Sequence, residues 1–166
     1  MKPKIPNAVR AELAMRIKNK IDISDLIAPY SIANEDLSGA IIKDFQRVGE
    51  DISNLNLTNA VIGTENAETH ISRAIAYNGC FKNARFLGKV IAKKTNFTNS
   101  NFTNAYLPYC DYRFAKFNNC IFCGAVFSMS TELSLGAEFS DNFFRDLGKC
   151  FNLTITVNKP GVVENT

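Results

Sequence analysis

Three features of the chain have the residue types and spacing that chemistry uses: one histidine, a Cys-x-x-Cys pair and a set of Asn-x-Thr triplets. His70 is the sole histidine, which removes two-histidine metal centres and His-rich zinc sites. It stands in "THI" directly before Ile71, a residue the periodicity below places inward, so His70 is expected outward as a plain surface residue. Cys120 and Cys123 in "CIFC" have the spacing of half a zinc site or of a redox pair, but the partner pair is missing. Cys120 also falls at a small inward position, where cysteine serves as a compact hydrophobe. The triplets at Asn56, Asn96, Asn101 and Asn152 match the glycosylation sequon, yet no secretory signal precedes them and three of them recur as one position of a repeat. No Gly-rich phosphate loop, paired-carboxylate motif or metal-ligand cluster is present in the sequence. The expectation is therefore no catalytic residue, no metal and no cofactor; an enzyme built on Cys123 or His70 lacks supporting groups.

The elements that hold these residues must come from a chain of 166 residues, 46% hydrophobic, which suits one domain with its own core. Five cysteines, an odd number, read as reduced thiols and not as a disulfide framework. No run of eighteen apolar residues occurs, and "MKPKIPNAVRAELAMRIKNKIDISDL" lacks the order of a signal peptide. A soluble cytoplasmic protein that engages no membrane is expected. The net charge is +3, and Leu37 to Phe127 carries ten Lys plus Arg against six Asp plus Glu. That is too mild for a dedicated nucleic-acid binder, and no nucleic-acid partner is expected.

From Thr95 to Phe127 the residues Phe97, Phe102, Leu107, Tyr112, Phe117, Phe122 and Phe127 lie five apart, each with a small residue two before it. On a helix, positions five apart advance about 500° and spray around the cylinder. On a flat strand they alternate between faces. Both difficulties vanish if each unit is a short extended piece, small residue in, next out, large residue in, followed by a corner. With corners of about 90°, four units close a square coil, and coils stack at about 4.8 Å.

Such a stack demands that residues one coil apart match in kind. One wall reads Leu37, Leu57, Ala76, Phe97, Phe117 and the next Ile42, Ile62, Phe81, Phe102, Phe122. The third gives Phe86, Leu107 and Phe127, with Arg47 and Ala67 before them; Phe45 or Val48 is expected to replace Arg47 inward through a bulge. The fourth reads Ile52, Ile71, Ile91 and Tyr112, with single-residue slips expected near Asn66 and near Lys93 and Lys94. Ala84, Thr95, Ser100, Ala105, Cys110, Ala115 and Ala125 fit the small inward position; Glu35, Glu50, Leu55 and Lys89 do not.

Units such as "TNFTN", "SNFTN", "AYLPY", "AKFNN" and "CIFCG", and in looser form "NEDLSG" and "NLTNA", resemble the pentapeptide repeat family. The resemblance covers about Asp36 to Phe127 and implies a right-handed quadrilateral β-helix, here of about four to five coils. The expected organisation is an N-terminal capping helix and lead-in over 1–35, the β-helix over 36–128 and a C-terminal helix/strand segment over 129–166. In the N-terminal part, Asn7 serves as helix cap, with Val9, Leu13, Ile17 and Ile21 on one face. In the C-terminal part, Ser140 caps a helix carrying Phe143, Phe144, Leu147 and Phe151, followed by a strand in "NLTITVN". That segment is either a lid over the open end or a homodimer interface, as the resemblance implies for some members.

What remains for function is surface. Leu87, Tyr106, Pro108 and Val126 flank the inward residues of the third wall, Ile121 sits beside them, and Tyr109 and Phe114 add aromatics at corners. The leading expectation is a noncatalytic scaffold that binds a protein, as yet unidentified, through this patch. The resemblance also implies an alternative, a duplex-DNA mimic that binds a type II topoisomerase such as DNA gyrase, which needs an acidic coil where this one is basic.

Overall fold

The computed structural model describes residues 1–107 and 110–127, together with the backbone of Glu138–Phe139. A helix, Asn7–Lys18, and a short helical turn, Ser24–Ile27, are followed by two-residue strands, every paired set of which is parallel. Parallel pairing between segments about twenty residues apart, with a corner every five, makes a coil and not a folded sheet. The fold is a quadrilateral β-helix.

The registers define four walls. The first stacks Leu37, Leu57, Phe81, Phe102 and Phe122 through the bridges at Asp36, Asn56, Cys80, Asn101 and Ile121. The second is a five-stranded sheet running through Ile41–Ile42, Val61–Ile62, Arg85–Phe86, Tyr106–Leu107 and Val126–Phe127. On the third, Gln46 pairs with His70 and the strands Thr69–His70, Val90–Ile91 and Cys110–Asp111 follow in parallel. The fourth carries Asp51, Ile75, Asn96 and Lys116 in register. It does not stop there, since Glu138–Phe139 pairs in parallel with Lys116–Phe117, so the ladder continues past the end expected at 128. The other residues expected in the C-terminal helix and strand lie outside the described ones.

These registers correct the expected walls. Between the second and third coils Asn56 pairs with Cys80, twenty-four residues on, so the slip near Asn66 is a four-residue loop and not a single residue. Ala67, expected inward, is exposed in that loop. Beyond it every residue moves back by one wall: Ala76, Phe97 and Phe117 stack with Ile52, and Phe81, Phe102 and Phe122 stack with Leu37 and Leu57. The ring geometry agrees, with Phe102 face to face with Phe81 at 4.7 Å and with Phe122 at 5.0 Å, and Phe97 with Phe117 at 5.1 Å. Neighbouring walls meet edge to face, as Phe97 does with Phe102 at 5.4 Å.

A second slip falls at Gly88 and Lys89, not at Lys93 and Lys94. It turns Ile91 outward, where it is half-buried, and gives its inward place to Val90 and Ala92. Of the expected core, Leu37, Ile42, Ile52, Leu57, Ile62, Ile71, Phe81, Phe86, Phe97, Phe102, Leu107, Tyr112, Phe117, Phe122 and Phe127 are all buried. Gly88 is required where it stands: its φ is +68°, and a Cβ there would lie 2.6 Å from the Ala67 carbonyl and against that of Thr64, in the inserted loop.

Corners follow a side-chain rule. The residue before each inward large one is often Asp or Asn, and its carboxyl or amide oxygen accepts the N–H two residues on: Asp36 from Ser38 at 3.0 Å, Asp51 from Ser53 at 2.9 Å, Asn56 from Thr58 at 3.0 Å, Asn101 from Thr103 at 2.9 Å. The second corner residue takes a left-handed conformation. Between the fourth and first walls it is Asn34, Asn54, Asn78, Asn99 and Asn119, whose amides bond to one another along the stack.

At the N-terminal end the helix begins after Pro6, not Asn7, and no side chain caps it. Leu13 is buried and Val9 and Ile17 pack on the core, while Ile21, past the helix end, is exposed. Phe45 and Arg47 are both buried, whereas Val48, the other candidate for the bulge, is exposed. The Arg47 guanidinium leaves the coil and donates to the carbonyls of Ile27 at 2.9 Å and Tyr30 at 3.0 Å, and to the Glu50 carboxylate at 3.0 Å. Glu35 meets Arg10 through two bonds of 2.7 Å, and Glu50 meets Lys2 at 2.7 Å.

Candidate functional site

The residues with chemical potential are taken apart by the coil. Cys120 faces the interior, its thiol donating to the Phe97 carbonyl at 2.9 Å, and burial pushes it up to about 12. Cys123 is half-buried in the turn that follows. One thiol is thus spent on the interior and the other stands in a turn, and both are free. Burial likewise pushes the Cys110 thiol up to about 12, and Tyr112 beside it is raised by burial first and by Cys110 second. Neither thiol is an available nucleophile at neutral pH. Among the described residues no group of three or more His, Cys, Asp and Glu is placed to hold a metal ion.

His70 lies on the third wall, half-buried, with its Nε2 3.1 Å from the Ser72 hydroxyl. No carboxylate orients it. The sequon asparagines at 56, 96 and 101 serve the corners. The Asn56 and Asn96 amide oxygens each accept the hydroxyl of the threonine two residues on at 2.7 Å, which closes the turn. Asn152 lies outside the described residues.

The surface patch is rearranged. Tyr106 and Val126 share the outward column of the second wall, where Tyr106 is 39% exposed, and Leu87 stands half-buried beside them. Ile121 is exposed on the adjoining first wall. Phe114 does not belong with them: it sits at the corner between the third and fourth walls, a full wall away, beneath the Lys94 ammonium. The reason is the loop at 64–67, which the five-residue count passes over. Pro108 and Tyr109 lie outside the described residues. In exchange the column gains members that the count does not align, Ile41 and Val61, in register with Tyr106 through Arg85. The Arg85 guanidinium carbon lies 6.0 Å from the centre of the Tyr106 ring. The signal that could have found them is the turn-like composition of "GTENAET", which marks an insertion.

No helix among the described residues is long and apolar enough to cross a membrane. No family model and no curated protein matches the chain. The chain is similar to solved structures of repeat proteins. Trypsin-treated QnrB1, a plasmid-mediated fluoroquinolone resistance protein, is 19% identical over 66% of this chain and 70% of its own, with a TM-score of 0.43. The pentapeptide repeat protein Rfr23 from the cyanobacterium Cyanothece 51142 is 21% identical over 69% of this chain, with a TM-score of 0.33; the match takes in 63% of Rfr23, under two thirds of its length. The square coil itself is read from the registers and ring stacking of this chain.

Proposed function

We propose that the chain is a noncatalytic scaffold that docks a partner protein on its second wall. The observation that carries this reading is the outward column of the five-stranded sheet, Ile41, Val61, Arg85, Tyr106 and Val126, aligned on a rigid flat face with Leu87 alongside. Tyr and Arg are the residue types enriched among interface hot spots, and the aliphatic residues around them supply the surround that excludes water. The duplex-DNA mimic is not advanced: the segment from Leu37 to Phe127 has ten basic against six acidic residues, the wrong sign for a phosphate backbone.

The test is affinity capture from native cell extract with the wild type, with Tyr106→Glu, and with Tyr77→Glu on the fourth wall as a control of similar exposure. A protein retained by the wild type and the control but lost from Tyr106→Glu is the expected result. Equal retention by all three, or capture of nothing, overturns the assignment of the second wall.

A further inference from the structure

The third wall holds a feature that protein docking on the second does not use. Val48, His70, Ser72, Arg73, Lys93 and Lys94 line a hollow of about 300 Å³. Three cations and the histidine line it, and the carboxylate beside them is that of Asp111. That carboxylate is engaged from both sides, by Lys93 at 3.2 Å and Arg113 at 2.8 Å. Glu68, at the edge of the same wall, is held by Lys89 at 2.9 Å. The Arg73 guanidinium is exposed and has no hydrogen-bond or ion-pair partner among the described residues, and the Lys94 ammonium has only the face of Phe114, at 5.9 Å. Ser72 is buried at 7% exposure, and its hydroxyl is shared between His70 and the Ile91 carbonyl.

An independent observation concerns the backbone beneath these cations. At the left-handed corner position, the corner after the fourth wall uses asparagine throughout, and the corner after the first uses Gly39, Asn59, Asn83, Asn104 and Gly124. The corner after the third wall starts with Gly49 but continues with Arg73 at φ +61°, Lys94 at φ +58° and Phe114 at φ +60°. Long side chains are disfavoured there, and outside this corner Lys20, at φ +58°, is the one other such case among the described residues. Uncompensated cations at strained positions, around a hollow with two further hydrogen-bonding side chains, are the components of an anion site.

We propose that this hollow binds a phosphate dianion, free or at the end of a small ester. Arg73 and Lys94 supply the charge and the N–H donors, with Lys93 a third cation shared with Asp111, while the paired His70 and Ser72 side chains line the hollow. Val48, 48% exposed at the rim, and the ring of Phe114 offer an apolar flank for the body of an ester.

The test is calorimetric titration of the full chain at low salt with inorganic phosphate and, separately, phenyl phosphate. It compares the wild type with the double variant Arg73→Asn, Lys94→Asn. Both substitutions introduce the residue the other corners use, so the variant is expected to melt no lower than the wild type. The wild type should bind at least one probe saturably, and the variant at least tenfold more weakly. Tighter phenyl phosphate assigns the site to an ester, and equal or tighter inorganic phosphate assigns it to the free anion. Absence of saturable binding of both probes up to about 10 mM, or unchanged binding by the folded variant, overturns the proposal. Because the residues lie on a different wall from Tyr106, neither result bears on protein docking.

Discussion

Replacing Phe102 with alanine removes the ring at the centre of the aromatic column. Phe102 is 2% exposed, lies face to face with Phe81 and Phe122, and meets Phe97 and Phe117 edge-on at 5.4 and 6.2 Å. A buried Phe→Ala change costs about 3–5 kcal/mol, the spread reflecting how far the surroundings collapse into the hole. Here collapse is resisted, because the coils on either side are set by backbone bonds: Phe81 N–H to Asn101 at 2.8 Å and Phe102 N–H to Ile121 at 2.7 Å. Two stacked pairs, each contributing about 0.5–1.5 kcal/mol beyond burial, are lost together. The upper half of that range, roughly 4–5 kcal/mol, is therefore expected. Urea unfolding followed by circular dichroism measures it, with the condition that the m-value stays unchanged, since a solenoid can otherwise unfold in parts. Ile91→Ala is the internal control; half-buried and outward, it should cost under about 1 kcal/mol. A loss below about 1 kcal/mol for Phe102→Ala, or an Ile91→Ala loss in the core range of about 2–5 kcal/mol, would refute the registers given above.

Gly88→Ala sets a Cβ against the Thr64 and Ala67 carbonyls at a left-handed φ, so it should cost about 1–3 kcal/mol or displace the inserted loop, read as a lowered midpoint and faster proteolysis near Glu65. Acid should destabilise the protein through Asp22 and Asp111. Burial raises both carboxyls, but hydrogen bonds outweigh it, from Ser24 and Lys43 to Asp22 and from Arg113 and Lys93 to Asp111, and hold each below the usual range. A carboxyl depressed on folding stabilises fully above its unfolded value, about 3.9, and that contribution disappears as pH falls through the folded value. The melting temperature of the wild type should thus fall below about pH 4 more steeply than that of Asp111→Asn; parallel curves would refute the attribution to Asp111.

The inward set and the square section were legible in the sequence because they depend only on position within five residues. Phe97, Phe102, Phe117 and Phe122 are buried whichever wall they occupy, since all four walls obey the same in-out-in grammar. Wall identity is a different quantity. It requires an unbroken count around the whole coil, and Ala67 and Ile71, small and apolar at near-correct spacing, let the count run through a loop. After that error the inside is still right and the outside is wrong. Tyr106 was aligned with Val126 but not with Val61 and Ile41, and Phe114 was joined to a patch a wall away. Ile91 failed for a related reason: "KVIA" offers three apolar residues in a row, and Gly88 decides which of them turns in.

The N-terminal end explains why charge appears at positions meant for small residues. Glu35 and Glu50 occupy the inward place two before Leu37 and Ile52 in the first full coil, above which lies the irregular lead-in that bridges it at Asp22 and Ile41. There they meet Arg10 and Lys2 of the cap, while Arg47 rises to the carbonyls that end the short helical turn. A first coil with alanine at these positions would present an apolar edge able to accept any strand. With Glu35, Glu50 and Arg47 the edge is matched to one cap, and leaving any of the three unpaired would cost more than an open alanine edge gains. The same logic separates the two faces assigned function here. The capped end is sealed by paired charges, whereas among the described residues Arg73 and Lys94 on the third wall have no ion-pair partner and Tyr106 on the second is exposed.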